Sequence, residues 1–141
     1  MRRLLCLTLL VTVGAVVAAV SAGAATTIDF KAEIHDNFRV CPPGVDLCGK
    51  GIVHGFGTAT GTFTFFPTER VFILDSDGST LRIALVPTDL SPPTLAGTWT
   101  VIGGTGVFAG ATGSGTIWAT GTGVPVPSDT AHYRGTITLP D

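Results

Sequence analysis

A strict alternation of apolar and polar side chains is the feature of this sequence that most limits its possible folds. From Ile28 to His35 every second side chain is apolar, and the side chains between them are charged or polar. A repeat of two residues is typical of a β-strand that buries one face. After the first 24 residues, no window of eleven shows a repeat of 3.6 residues. The sequence therefore predicts strands and no helix.

The composition favours a single all-β domain. The chain has 141 residues, with 19 Gly, 9 Pro and a hydrophobic fraction of 45%. So many glycines disfavour a helix bundle, and so large a hydrophobic fraction disfavours a disordered chain. A length of this order limits the chain to one domain.

The charge pattern argues against a nucleic-acid partner. The formal net charge is -2, and no basic cluster follows Arg3. A protein that binds nucleic acid needs such clusters to neutralise phosphates. We therefore expect no nucleic acid among its partners.

The N-terminal segment has the three parts of a secretory signal peptide. Arg2 and Arg3 precede an uncharged apolar run from Leu4 to Val20, and small residues follow up to Ala24. This pattern predicts export and cleavage after Ala24. A membrane anchor is the alternative, since the run is at the short end of a spanning helix.

Cleavage is the better interpretation of this segment, because small residues follow the apolar run at once and no basic stop-transfer cluster comes after it. The predicted organisation is a signal peptide at 1–24 and a β-domain at 25–141. The mature protein is expected to be secreted and to have no membrane contact after cleavage.

Two cysteines remain once the leader, with its Cys6, is removed. They are Cys41 and Cys48, and an even number in an exported protein predicts a disulfide. A zinc site is the alternative, but the spacing is wrong for zinc and no second ligand pair follows. We therefore expect a disulfide-stapled loop at 41–48 and no metal.

Further segments have the character of strands. They are Gly51–Phe66 (one bent strand or two short ones), Glu69–Leu74, Thr80–Val86, Leu95–Val101, Ile117–Thr120 and Tyr133–Leu139. The residues Asp75 to Gly78 predict a hairpin turn between the second and third of these. Seven or eight short strands without a helix favour a sandwich or a closed barrel.

One predicted strand is apolar on both faces. In Glu69–Leu74, Val71 and Ile73 lie on one face, and Phe72 and Leu74 lie on the other. Only one face of a strand can cover the core, so the other is available for a contact between subunits. The expected partner is a second copy of the chain, in a dimer or a trimer.

A glycine-rich segment from Ile102 to Gly115 contains the spacing of a dinucleotide-binding fingerprint. That motif needs a following helix, which Gly110 and Gly113 would break, and an acidic residue at the end of a second strand. No cofactor is therefore expected. The segment is better interpreted as a strand end and a tight turn, in which Phe108 closes one end of the domain and Gly113 starts the next strand.

The same segment resembles a stretch shared by allene oxide cyclases and dirigent proteins, including their exported bacterial relatives. The resemblance is carried by Gly103, Gly104, Thr105, Gly106, Val107 and Phe108, followed by Gly110, Ala111 and Gly113. It extends from about Thr98 to Leu139 and is weaker upstream. It implies an antiparallel barrel of about eight strands, commonly trimeric, whose interior receives an apolar small molecule. It implies no catalytic residue, because the polar residues that the plant members use have no match here.

Four residues are candidates for binding a ligand inside such a barrel: His54, Tyr133, Trp99 and Phe56. His54 shares a predicted strand face with Ile52 and Phe56, so we expect it to point inward and to meet a ligand or move a proton. A hydrogen-bonded structural histidine is the alternative. Tyr133 is expected to present its hydroxyl to the cavity, or to fill space at the rim.

Three functions remain open from the sequence. The first is an exported barrel that binds a small apolar molecule. The second is a cofactor-free cyclase or isomerase, or a protein that directs a coupling reaction, as the resemblance implies. The third is an extracellular structural or interaction domain. The binder ranks first, since no catalytic constellation can be assigned.

Overall fold

A computed structural model describes residues 23–37, 41–89, 94–122 and 128–141. Eight strands follow one another: β1 (Thr26–Asn37), β2 (Leu47–Val53), β3 (Gly57–Phe65), β4 (Thr68–Leu74), β5 (Thr80–Asp89), β6 (Thr94–Gly104), β7 (Thr112–Thr122) and β8 (Ser128–Leu139). A single 3-10 turn, Gly106–Phe108, lies between β6 and β7. Residues 1–22 of the expected signal peptide lie outside the described residues. No helix in the described ranges is long and apolar enough to cross a membrane.

The strands form a closed antiparallel barrel. Each strand pairs with the next, and β8 pairs with β1 from Thr26 opposite Leu139 to Asn37 opposite Ser128. Closure satisfies the backbone hydrogen bonds of the first and last strands, so the sheet has no free edge. The all-β prediction and the barrel alternative are confirmed.

The period of two decides which side chains fill the barrel. Phe30, Ala32 and Ile34 of β1 are buried, whereas the charged residues between them face outward. Leu81, Ile83 and Leu85 of β5 are buried in the same way, as predicted. On β4, Phe72 and Leu74 point inward, and Val71 and Ile73 are half-buried on the outer wall. The subunit contact expected at that outer face stays a prediction.

The centre of the barrel is filled by Trp99. Its ring packs edge-on against Phe30, with the centroids 5.4 Å apart, and its Nε1 donates to the carbonyl oxygen of Thr116 at 3.0 Å. Gly115 and Gly135 face each other across β7 and β8. A Cβ at these positions would lie 2.5 Å and 2.7 Å from the indole. The two glycines therefore make the space that the indole occupies.

One end of the barrel is closed by Phe108, and we call it the plugged end. It holds the start of β1 and the end of β8, together with the turns after β2, β4 and β6. Phe108 is fully buried, and its ring centroid lies 4.8 Å from that of Phe56. The burial of Phe108 agrees with its expected position at this end, and β7 begins one residue before Gly113.

The opposite end carries the Cys41–Cys48 disulfide, and we call it the disulfide end. The Cα atoms of the two cysteines are 5.5 Å apart, which confirms the predicted bond. Strand β2 begins at Leu47, so the last two residues of the predicted loop belong to the sheet. The predicted segment Gly51–Phe66 is divided between β2 and β3.

Candidate functional site

A buried ion pair crosses the interior near the disulfide end. Arg70 projects from β4 and Asp36 from β1, two strands that are not neighbours in the barrel. The guanidinium donates from Nη1 and Nη2 to the two carboxylate oxygens, at 2.7 Å and 2.5 Å. Both residues are 2% exposed. Because this geometry is bidentate, the planar guanidinium fixes the orientation of the carboxylate.

Tyr133 of β8 completes this pair. Arg70 donates from Nε to the Tyr133 hydroxyl at 2.8 Å. The guanidinium also lies 5.3 Å from the ring centroid of Phe63 and 5.7 Å from that of Tyr133. A Cβ on Gly61 would lie 3.1 Å from Nη1, so this glycine leaves room for the cation. The aromatic faces shield the charge and favour it.

Asp129 brings a second carboxyl group to the same place. It lies opposite Asp36 in the β1–β8 ladder. Its Oδ1 is buried and has no hydrogen-bond partner among the described residues. Buried polar atoms in proteins are nearly always hydrogen-bonded, so an unpartnered one calls for an explanation such as a strained group, a catalytic role, or a bound water or ion.

The proton of Asp129 is held more tightly than that of an ordinary carboxyl group. Burial is the largest cause, and together with the negative charge and hydrogen bond of Asp36 it raises the pKa of Asp129 to about 7 against the opposing charge of Arg70. The site contains two carboxyl groups and one guanidinium. The guanidinium balances the charge of one carboxylate only, which disfavours ionisation of the second. Near neutral pH, Asp129 is therefore able both to give and to take a proton.

Tyr133 and Arg70 keep their protons. Burial raises the pKa of Tyr133 to about 12, so its hydroxyl is neutral. Burial by itself lowers the pKa of Arg70, but its interactions with Tyr133 and Asp36 outweigh this, and the net direction is upward. Since the Tyr133 oxygen accepts from Arg70, its own proton is free to be donated. The site thus offers hydrogen-bond donors in apolar surroundings.

The four sequence-predicted ligand residues do not come together. Tyr133 is buried and inward, as expected. Trp99 is buried in the centre of the barrel, and Phe56 lies half-buried at the plugged end. His54 lies on the exposed turn at that end. Only Tyr133 belongs to the polar cluster.

The expected inward orientation of His54 is wrong. Strand β2 ends at Val53, whose side chain is buried, and His54 belongs to the turn that follows. Gly55 and Gly57 have φ angles of +84° and +107°, which interrupt the alternation on which the prediction depended. Ile52 is 50% exposed and faces outward. The face that the sequence assigned to these residues is therefore not continuous.

Sequence analysis missed Asp36, Arg70 and Asp129, although the period of two contained the signal for two of them. Asp36 continues the inward series of β1 by one step beyond Ile34. Arg70 precedes the inward Phe72 by two positions. A charged residue on the apolar face of each of two strands indicates a buried pair. Asp129 lies outside the predicted strands, so nothing in the pattern indicated its direction.

A second polar cluster lies on the outer wall and contains Glu33, His35 and His132. Glu33 contacts His35 at 3.1 Å and His132 at 3.3 Å, and the His132 ring stacks on Trp118 with centroids 4.7 Å apart. A groove of about 410 Å³ is lined by Glu33, His35, Lys50, Gly51, Ile52 and His54. Within the described ranges, no group of three or more acidic, His or Cys residues is placed to hold a metal ion.

The fold and the buried cluster define a small closed β-barrel with acid and base groups at one end. The sequence matches no protein-family model, and no curated protein matches it. Among solved structures, it is similar to two pterocarpan synthase dirigent proteins. The first has 15% identity and a TM-score of 0.46, over 94% of this chain and 98% of the other. The second has 15% identity and a TM-score of 0.45, over 86% and 99%.

Both neighbours carry the name of a family that the glycine-rich segment resembles. At this identity and TM-score the likeness adds nothing to what the strands of this chain show by themselves. It therefore assigns no activity and no site residue.

Proposed function

We propose that the protein binds a small, largely apolar molecule that carries an oxygen acceptor, at the disulfide end of the barrel and without a cofactor. The unpartnered Oδ1 of Asp129 is the observation that carries this proposal. A protonated Asp129 can donate to such an oxygen, and the neutral Tyr133 hydroxyl offers a second donor. Ligand sites are commonly apolar with a few convergent polar groups of this kind.

The packing restricts where the ligand can lie. Phe30, Phe72 and Trp99 fill the middle of the barrel, and Phe108 fills the plugged end. At the disulfide end, the paired inward residues Ala119 of β7 and Ala131 of β8 are small, whereas Phe63 and Arg70 on β3 and β4 are large. The proposed ligand is therefore a compact molecule that enters only the part of the barrel between Tyr133 and the disulfide end.

Binding of prodan, a neutral naphthalene ketone whose fluorescence reports its surroundings, tests this proposal. We expect blue-shifted emission with the wild-type protein and an affinity that weakens as the pH rises through about 7, because Asp129 then loses the donated proton. Asp129→Asn keeps a donor at all pH values, so its affinity should not change with pH. Asp129→Leu has no donor and should bind several-fold more weakly.

The matched control is Asp29→Asn, which removes an exposed carboxylate from the outer wall of β1. It should behave like the wild-type protein. If Asp129→Leu binds prodan as tightly as the wild-type protein does at pH 6, the site is not at Asp129. If the folded protein binds no apolar carbonyl compound at all, an extracellular structural or interaction role replaces the proposal.

The cofactor-free enzyme, a cyclase, isomerase or coupling-directing protein, is the second candidate, and one observation favours it. General acids and bases work best when their pKa lies near the working pH, and burial brings the pKa of Asp129 to about 7. Arg70 and Asp36 would then act as positioning residues. If the protein is an enzyme, Asp129→Leu would lower the rate of the catalysed reaction as well as the affinity for the ligand.

A further inference from the structure

An aromatic hairpin tip projects from the disulfide end. Strand β3 ends at Phe65 and β4 begins at Thr68. The side chain of Phe66 is 97% exposed, and that of Phe65 is 42% exposed. We call Phe65, Phe66 and Pro67 the aromatic tip. Single exposed apolar residues are common, but a phenylalanine that is almost wholly in water at the end of a hairpin is not accounted for by the packing of the barrel.

The tip is held in place by its neighbours. Three hydrogen bonds hold the tip. Thr64 Oγ1 donates to the carbonyl oxygen of Pro67 at 2.7 Å, and Thr68 Oγ1 donates to the carbonyl oxygen of Phe65 at 2.9 Å. The backbone N–H of Phe65 donates to Asp46 Oδ2 at 2.7 Å. The Phe65 ring also packs edge-on against Phe63, with centroids 5.1 Å apart. The exposure of Phe66 is therefore a property of a hydrogen-bonded hairpin.

The charges near the tip are acidic. Among the described residues between the strands at this end, 41–46 and 66–67, there is no lysine or arginine. Asp46 and Asp89 lie at the same end. Val86, which is 63% exposed, adds apolar surface on β5. The described part of this end therefore presents no cation between its strands that would attract anionic lipids or nucleic acid.

The size and shape of the tip distinguish between its possible occupants. A stable protein interface covers about 800 Å² on each partner, which is far more than three residues at the end of a hairpin provide. A fluid lipid surface accepts a single protruding side chain of any shape, and aromatic side chains are favoured at its interface with water. We infer that the aromatic tip docks the protein reversibly on an electrically neutral lipid surface, with Phe66 inserted.

This inference departs from the expectation that the mature chain has no membrane contact after cleavage. Docking by Phe66 does not depend on the proposed ligand binding at Asp129. If the proposed function also holds, a docked barrel turns the end that contains Asp129 toward the lipid, where apolar small molecules accumulate.

Tryptophan placed at the tip reports insertion directly. We expect the fluorescence of Phe66→Trp to shift to shorter wavelength with phosphatidylcholine vesicles and to be quenched by brominated acyl chains. The control is Val107→Trp, at a residue that is 46% exposed at the plugged end. It should respond several-fold less. Both variants contain Trp99 and Trp118, so the signal of the wild-type protein is subtracted from each.

Loss of the side chain tests the same contact in an otherwise unchanged protein. Phe66→Ser should lower the fraction that co-floats with phosphatidylcholine vesicles several-fold at equal lipid, whereas the binding of prodan in solution should not change. Because the insertion is apolar, neither added salt nor anionic lipid should strengthen it.

Three results would overturn the inference. The first is an equal response of Phe66→Trp and Val107→Trp, or equal flotation of Phe66→Ser and the wild-type protein. The second is binding that requires anionic lipid and disappears in high salt. The third is a dimer, seen by sedimentation without lipid, that Phe66→Ser abolishes, since this would assign the tip to a second copy of the chain.

Discussion

Asp129 carries the strongest pH dependence that the described residues offer. In the folded protein burial raises its pKa to about 7, whereas an unperturbed aspartate titrates near 3.8. Between these values the folded protein keeps a proton that the unfolded chain releases. The protonated group therefore stabilises the fold fully below about pH 4, and this contribution is lost as the pH rises to about 7.

We therefore predict that Asp129→Asn removes a part of the decline in stability between pH 4 and pH 7. The wild-type protein should lose at most about 1.4 kcal/mol per pH unit from this group, and less because Asp129 is partly exposed. Urea unfolding at a series of pH values measures the difference. Asp29→Asn is the control and should keep the wild-type slope. A variant at position 129 that also keeps this slope would contradict the assignment.

At the scale of elements, Arg70 connects three strands that lie on different sides of the barrel. Its guanidinium contacts Asp36 of β1 and Tyr133 of β8 from its own position on β4. Such a cross-barrel contact fixes the relative positions of strands that share no backbone hydrogen bond. A buried pair contributes little net stability over apolar side chains of similar size, but the loss of one partner leaves a buried charge.

We predict that Arg70→Met lowers the free energy of unfolding by about 3–5 kcal/mol. The double variant Arg70→Met, Asp36→Val should recover most of this loss, because it removes both charges. Arg82→Met is the control, since Arg82 pairs with Glu69 on the outer wall, where water weakens the interaction. Denaturant unfolding of the wild-type protein, Arg70→Met, Asp36→Val and the double variant gives the coupling free energy. A double variant as unstable as Arg70→Met would show that the charges are not the cause.

At the scale of the whole molecule, the predicted leader leads us to expect that the barrel works outside the cell. Removal of residues 1–24 stays a prediction. Protein collected from the medium of an exporting host should have the mass of the chain from Ala25, less two hydrogens for the Cys41–Cys48 bond. Thiol alkylation should modify two cysteines only after reduction. A full-length mass in a membrane fraction would support the anchor instead.

The sequence predicted the barrel better than the site, for physical reasons. Alternation along a strand reports which face is buried, so the core positions of β1 and β5 could be assigned. The alternation places Asp36 and Arg70 on the inward faces of their strands, but it does not say which inward residues meet across the barrel, so the pair itself could not be assigned. For His54 the alternation of the sequence was misleading. A turn with two glycines of positive φ ends strand β2 before His54, so the face assigned from the sequence does not continue to it.

An even number of strands also decides how the barrel can be attached to anything else. Thr26 at the start of β1 lies opposite Leu139 at the end of β8. The first and the last strand of the barrel therefore begin and finish at the plugged end. A fusion partner, tether or domain that is joined before β1 or after β8 is therefore attached at the plugged end, next to Phe108. The opposite face, with Asp129 and Phe66, stays unobstructed, and the barrel is displayed with a fixed polarity.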